Sequence, residues 1–216
     1  MPGPRPPRTA PEPSALTLAD VAAIGAHMPP RYAVAVHLCA WAGLRSAEVF
    51  ALRRHDVSLA RDDTGTLRRP LLVVCDEVHE RPGADVTTRP ARTQRRPRPV
   101  HLPRTVGELL AAHLAAVPNR ADNALVFAAP DGRPLTSLRR TRLLSRAAAA
   151  AGRPRVVWHD LRRVSAALAY SAGGSPADVA ARLGVRPSTP AGRTTPDADA
   201  RLAERLDALT TTGDRQ

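Results

Sequence analysis

One apolar segment limits the possible folds more than any other part of this sequence. Residues 32–44, "YAVAVHLCAWAGL", are apolar nearly all the way round a helix. The run is too long for a typical strand, and it is shorter than the roughly 18 to 20 residues that a membrane helix needs. It therefore predicts a buried helix at the centre of a globular domain. Because aromatic residues are scarce, leucine, valine and alanine must fill the rest of that core.

The remaining segments place helices before and after a short β-rich stretch. Helical spacing is found on either side of the apolar helix, in "LTLADVAAIGAHM" and "RSAEVFALRRHDV". Strand-like composition follows in "RRPLLVVCDEV", "ADVTTRP" and "RPVHLP". Further helices are predicted in "RTVGELLAAHLAAV", "TSLRRTRLLSRAAAAAG", "HDLRRVSAALAYSAG", "SPADVAARLG" and "ADARLAERLDAL". This order predicts an α+β fold that is mainly α-helical, with a small three-stranded antiparallel sheet.

A single domain over residues 16–209 would account for most of the chain. Residues 1–15 are rich in proline and arginine, and we expect them, like the tail over residues 210–216, to be disordered. The N-terminal segment has no apolar core and is not a signal peptide. Cys39 and Cys75 are isolated and form neither a disulfide framework nor a zinc-site spacing. These features predict a cytoplasmic protein.

The charge balance is strongly positive. The chain has 32 basic residues, all of them arginine, against 20 acidic residues, for a net charge of +12. Such an excess favours a polyanionic partner, most simply nucleic acid. The alternative is a compositional bias of the source genome, in which the charge serves only solubility.

A histidine and an arginine begin one of the predicted helices. In "WHDLRRVSAALAY", His159 and Arg162 are three residues apart and so share a helix face. At a helix N-terminus, free N–H groups and the helix dipole favour an anion. The planar guanidinium matches two phosphate oxygens, and a histidine can donate a proton near neutral pH. The simpler alternative is a solvated helix end with no special task.

Four segments in this order and at these separations, the last being the loop that follows Gly184, resemble the catalytic domain of the tyrosine recombinases, or phage integrases, over about residues 16–209. The first, "AGLRSAEVFALRRHDVSL", is similar to the family's "TGLR..E...L...D" box and makes Arg45 the first catalytic arginine. A surface pair between Arg45 and Glu48 is the alternative. The second is "RPARTQRRPRPVHLP", and the third, "WHDLRRVSAALAYSAGGSPADVAARLG", is similar to the "H.LRH" box and supplies His159 and Arg162.

This resemblance implies a DNA strand exchange that needs no metal and no cofactor. In the family, a tyrosine attacks a backbone phosphate and forms a 3′-phosphotyrosyl intermediate, while arginines stabilise the charge on the non-bridging oxygens. The implied partners are double-stranded DNA and other recombinase subunits, and the implied location is the nucleoid. Family members usually carry a core-binding domain before the catalytic domain, and we expect that domain to be absent here.

Several family positions hold other residues in this chain. Arg92 takes the position of a lysine that protonates the leaving oxygen, and arginine is a poor proton donor because its pKa exceeds about 12. Arg163 replaces a second histidine, and Val185 replaces a histidine or tryptophan. Thr194 stands where the nucleophilic tyrosine is expected. A threonine alkoxide is more basic than a phenolate, whose pKa is near 10.

The resemblance and its departures together predict an integrase-like, DNA-binding protein of DNA recombination or integration whose catalysis is impaired. An active but divergent site-specific recombinase and a non-functional remnant of a mobile-element integrase remain as alternatives. Tyr32 and Tyr170 are the chain's two tyrosines and hence the candidates for a relocated nucleophile. The predicted catalytic positions are Arg45, Arg92, His159, Arg162 and Thr194, and the predicted phosphate contacts are Arg45, Arg92, Arg162 and Arg163.

Overall fold

Eight helices and five strands are formed by the residues that the computed structural model describes, which are 16–81, 84–91, 97–185 and 197–213. The helices are α1 (Leu18–His27), α2 (Pro30–Ala42), α3 (Ser46–Val49), α4 (Arg104–Ala116), α5 (Ser137–Ala150), α6 (Trp158–Ser171), α7 (Pro176–Leu183) and α8 (Ala198–Gly213). The strands are β1 (Val57–Ser58), β2 (Leu71–Val74), β3 (Asp76–His79), β4 (Thr87–Pro90) and β5 (Arg98–His101).

The apolar segment forms the central helix, as its composition predicts. Helix α2 begins with a proline at its first position, where the missing N–H is not needed. It packs against α1, α4 and α6, so nearly every side of it is covered. Its central residues Ala35, Val36 and Leu38 are fully buried. The other helices therefore arrange themselves around α2, and the ends of α2 determine where the loops emerge.

The strands form two small antiparallel sheets. The first has the order β1–β2–β5, and the second pairs β3 with β4. A three-stranded antiparallel sheet is thus present, which confirms the predicted fold class. The strands of this sheet differ from the predicted ones, because the run "RRPLLVVCDEV" divides at Cys75 into β2 of the first sheet and β3 of the second. Cys75 lies between β2 and β3, and its carbonyl accepts a hydrogen bond from Ala91 N, the residue after β4.

The segment predicted as a helix after Gly43 is helical only in part. Helix α3 has four residues, and a 3-10 turn follows at Arg54–Asp56. The intervening backbone bonds to a distant segment, since Val126 N donates to Leu52 O and Arg54 N donates to Ala124 O. These long-range hydrogen bonds replace the ones that would have continued the helix.

Helix α8 covers the β-rich side of the domain. It contacts α4, α6, α7 and β5, and it buries Leu202 and Leu206 completely. It runs to Gly213, whereas the predicted domain ends at residue 209. The predicted N-terminal arm lies outside the described residues. None of the described helices combines the length and apolar character needed to cross a bilayer.

Candidate functional site

A left-handed glycine positions the chain that enters the site. Gly43 ends α2 with φ of +66°, a conformation that glycine adopts without steric cost. A Cβ atom there would lie 2.6 Å from Leu183 Cδ2 and 2.8 Å from Ser165 Oγ. Gly43 is therefore required both for its backbone conformation and for the close approach of α6 and α7. Two residues later the chain reaches Arg45.

Glu48 is a buried carboxylate at the end of this turn. Its side chain is 1% exposed. Glu48 Oε2 accepts a hydrogen bond from the backbone N–H of Arg45 at 2.8 Å, and Oε1 accepts one from Arg45 Nη1 at 3.3 Å. The first bond caps α3 and the second holds the guanidinium of Arg45. The predicted alternative, a solvent-exposed surface pair, does not describe this contact because Glu48 is inside the protein.

Two more arginines approach the same carboxylate. Arg98 Nη2 donates to Glu48 Oε2 at 3.1 Å, and Arg162 Nη1 lies 3.9 Å from that oxygen. Arg162 also donates to Gly43 O and Leu183 O, at 2.5 Å each, so it joins the ends of α2 and α7. We refer to Arg45, Glu48, Arg98 and Arg162 as the Glu48 cluster.

The Glu48 cluster carries more positive than negative charge. Three guanidinium groups face one carboxylate, which leaves an excess of two positive charges within the cluster. Burial lowers the pKa of Arg162 to about 10, repulsion from Arg45 and Arg98 acts in the same direction, and attraction to Glu48 opposes it. Burial also lowers the pKa of Arg98. Because arginines outnumber carboxylates in the cluster, the cluster attracts an anion.

An open pocket of about 440 Å³ adjoins the cluster. Arg45, Arg162 and His159 all line it. His159 is exposed at the second position of α6, as the sequence predicts for a helix N-terminus. The pocket thus combines three arginines, Arg45, Arg155 and Arg162, with one histidine and a helix N-terminus, which is a suitable set of groups for a phosphate.

The wall contributed by α5 combines Leu144 with two hydroxyl side chains and continues into a basic surface. Thr141 and Ser145 line the pocket. Arg139, Arg142 and Arg146 are exposed on the adjoining face of the same helix, at spacings of three and four residues. The pocket therefore lies next to a helix face that carries three positive charges.

The structure brings some predicted site residues together and leaves others apart. Arg45, His159 and Arg162 line the same pocket, although they come from two distant segments. Arg163 does not line it, because its side chain is 71% exposed and pairs with Asp160 at 3.4 Å. Arg92 and Thr194 lie outside the described residues, so their predicted roles stay predictions.

Neither tyrosine lines the pocket. Tyr32 is buried in the core, and its hydroxyl donates to Ala128 O at 3.1 Å. Tyr170 is exposed, but it lies eight residues beyond Arg162 on α6, about 12 Å along the helix axis. The structure therefore gives no support to either tyrosine as a relocated nucleophile. Val185, which follows α7, is 43% exposed.

Sequence reasoning missed Arg98 and the central place of Glu48. The available signal was the two-residue period of the strand "RPVHLP", which puts Arg98 on the same face as the buried Val100. An arginine on the buried face of a strand needs a counter-charge. The identity of that counter-charge depends on the approach of α3, which the strand pattern does not contain.

No metal centre accompanies the cluster in the part of the chain that the structure describes. Within residues 16–81, 84–91, 97–185 and 197–213, no group of three histidine, cysteine or acidic side chains could hold a metal ion. Cys39 and Cys75 are both unlinked thiols, and burial raises the pKa of Cys75 to about 11.

Comparison with known proteins finds integrases in sequence and recombinases in structure. The chain is 32% identical over 172 residues to the integrase of Mycobacterium phage L5, an alignment that covers 79% of this chain and 44% of the phage protein. It is 32% identical over 172 residues to the integrase of Mycobacterium phage FRAT1, covering 79% and 50%. The chain thus spans about half the length of these relatives. No family model matches the sequence.

Solved structures share the fold at low sequence identity. The Tn1549 transposon integrase, in complex with transposon right end DNA, superposes with a TM-score of 0.67 at 13% identity, over 96% of this chain and 67% of that one. The XerA recombinase superposes with a TM-score of 0.59 at 17% identity, over 94% and 66%. These similarities support the predicted fold and agree with the predicted resemblance.

Proposed function

We propose that this chain, which belongs to the tyrosine recombinase (phage integrase) family over the catalytic domain, holds the phosphate backbone of double-stranded DNA without cutting it. The observation that carries the proposal is the Glu48 cluster, whose two excess positive charges adjoin an open pocket. A backbone phosphate supplies the missing negative charge. Residues 16–209 form the unit that we assign to this task.

The groups in the pocket suit a tetrahedral phosphate. Arg45 and Arg162 present guanidinium N–H groups that can bind the non-bridging oxygens. His159 can donate a further hydrogen bond, and the first N–H groups of α6 add a partial positive charge. The exposed arginines of α5 extend this positive surface, so neighbouring phosphates of one duplex can be bound at the same time. Phosphate contacts of this kind position the protein and carry little sequence information.

The absence of cleavage is proposed from the residues at the reacting positions. Thr194 stands at the nucleophile position, and its alkoxide is more basic than a tyrosine phenolate. Arg92 at the lysine position binds an anion but does not readily release a proton. Val185 can neither donate a hydrogen bond through its side chain nor carry charge. Binding therefore survives these substitutions better than proton transfer and nucleophilic attack do.

Partners follow from the same chemistry. Duplex DNA is the first partner, with other recombinase subunits as the second, because a family enzyme works as a tetramer on two duplexes. A protein that binds DNA in this way would be found on the nucleoid.

A binding experiment with a matched charge control tests the proposal. Affinity for a labelled duplex should fall steeply as salt rises, because bound phosphates release counterions. The double variant Arg45→Ala with Arg162→Ala should bind about 100-fold more weakly, since it loses two charge-assisted contacts. The control is Arg68→Ala with Arg120→Ala, which removes the same charge from exposed positions outside the pocket. Equal losses in the two variants would refute a defined site.

A nicked suicide substrate tests the second half of the proposal. Such a DNA traps any covalent protein–DNA intermediate, because the nicked fragment diffuses away after attack. We expect no adduct with the wild-type chain on a denaturing gel, even at high protein concentration. A stable adduct would show that the chain is an active, divergent recombinase.

A further inference from the structure

Arg98 is buried with two of its donor nitrogens unsatisfied. Its side chain on β5 is 5% exposed. Nη2 donates to Glu48 Oε2 at 3.1 Å, but Nε and Nη1 have no hydrogen-bond partner among the described residues. Buried donors without partners are uncommon and lower stability. Arg98 shares this feature with Arg140, so its role has to be sought in what its remaining donor contacts.

The contacts around Glu48 show what Arg98 does there. Arg98 Nη2 is 3.1 Å from Glu48 Oε2, whereas Arg162 Nη1 is 3.9 Å from the same oxygen. Arg98 therefore makes the hydrogen bond with Glu48, and the charge of Arg162 is less completely neutralised. Arg98 is not among the residues that line the pocket, so it has no direct route to an anion there.

We infer that Arg98 is a positioning residue for the phosphate site. It makes the shorter contact with Glu48 and thereby leaves Arg162, 3.9 Å from the same carboxylate oxygen, with charge to offer an anion. This inference rests on the proposed function, since it explains how the same pocket attracts a phosphate. The excess of positive charge on which that function depends would then come from Arg98, a buried residue of β5.

Replacing Arg98 with an apolar side chain separates this role from a structural one. In Arg98→Met, Glu48 is left with Arg45 and Arg162 alone, and the cluster loses one positive charge. We expect roughly tenfold weaker binding of a labelled duplex at low salt, close to the loss of one charge-assisted contact. The thermal midpoint should stay unchanged or rise, because two unsatisfied donors leave the interior. A residue with only a structural role would lower the midpoint when removed.

Two further variants complete the experiment. Arg98→Lys keeps the charge beside Glu48 and should bind within about threefold of wild type. Arg140→Met is the matched control, since Arg140 is also 5% exposed with Nε and Nη1 unsatisfied. Arg140 lies near Glu80 at 3.5 Å and over the Phe50 ring at 5.9 Å, outside the Glu48 cluster. Arg140→Met should leave DNA affinity unchanged.

The possible results distinguish this inference from the proposed function. If wild type binds DNA, the Arg45 and Arg162 double variant does not, and Arg98→Met binds like wild type, the inference alone is overturned. If Arg98→Met and Arg140→Met lose affinity equally, together with thermal midpoint, Arg98 is a structural residue and the inference also fails. If wild type itself does not bind DNA, both proposals fall.

Discussion

Two clusters of described residues in which arginine meets a carboxylate, one buried and one partly buried, differ in charge balance. In the Glu48 cluster, three arginines share one carboxylate beside an open pocket. In the second, which we call the Asp199 cluster, Arg182 pairs with Asp199 and both contact His101. Arg182 is 1% exposed and also donates to Trp41 O at 2.9 Å. In the Asp199 cluster one arginine faces one carboxylate, whereas in the Glu48 cluster three arginines face one carboxylate and a pocket adjoins them.

The difference separates a structural contact from a binding site. The Asp199 cluster joins α8 to α2, α7 and β5, since each of these elements supplies one of its partners. Its one arginine is matched by one carboxylate. The Glu48 cluster joins elements as well, but its three arginines outnumber its one carboxylate. Substitutions in the Asp199 cluster should therefore change stability alone. Substitutions in the Glu48 cluster should cause a loss of stability that an added anion can partly reverse.

Glu48→Gln should have the largest effect on stability. It leaves three arginines close together without a carboxylate, and breaking a buried pair in this way costs about 3–5 kcal/mol. Urea unfolding should show that phosphate restores more stability to Glu48→Gln than to wild type, because an anion replaces the lost charge. Chloride at equal ionic strength is the control. If phosphate and chloride act equally, the cluster is not an anion site.

Asp199→Asn should cost about 3 kcal/mol, and phosphate should not restore it. Burial raises the pKa of Asp199, but Arg182 and His101 more than offset this and hold it below its usual value. The carboxylate therefore stabilises the fold above pH of about 4, and this contribution is lost as the pH falls through the lower folded-state pKa. Unfolding measured from pH 7 to pH 2 should show a smaller acid loss in Asp199→Asn. An unchanged acid profile would contradict this assignment.

Gly43→Ala should cost about 2 kcal/mol and also weaken DNA binding. Its Cβ atom would displace Leu183 and Ser165, and its backbone would be strained at φ of +66°. Since Gly43 O accepts a hydrogen bond from Arg162, the strain is transmitted to the Glu48 cluster. Gly152→Ala is the matched control, because Gly152 has a φ of +75° but a Cβ atom added there would meet no other atom within 4 Å. Both variants can be compared by urea unfolding and duplex binding.

Asp20→Asn should have the smallest effect, about 1 kcal/mol. Hydrogen bonds from Arg153 lower the pKa of Asp20 to about 2, although partial burial opposes the shift. This balanced pair near the surface stabilises the protein above pH of about 4, and the contribution is lost between pH 4 and pH 2. The loss of stability in Asp20→Asn is the reference value for an ion pair that belongs to neither cluster. High salt should reduce its contribution in unfolding experiments, and a loss as large as that of Asp199→Asn would contradict the ranking.

Much of the fold follows from local patterns in the sequence. The Thr17–Asp20 and Ser175–Asp178 capping boxes and the glycine that ends α2 are visible as residue types at fixed spacings. The strands were harder to predict, because one apolar run supplies both β2 and β3. The strand residues that pair are 8 to 30 positions apart in the sequence, and a local pattern cannot choose among the possible partners.

The sequence by itself determined the central helix, the α+β fold class and three members of the candidate site. Arg45, His159 and Arg162 could be named because their residue types and spacing are local properties. Only the tertiary structure decided that Arg98 and Glu48 meet, and that Arg163 faces solvent instead of the pocket. The physical reason is that charge balance depends on distances between side chains from separate elements. Those distances exist only once α2, α3, α6 and β5 have packed together.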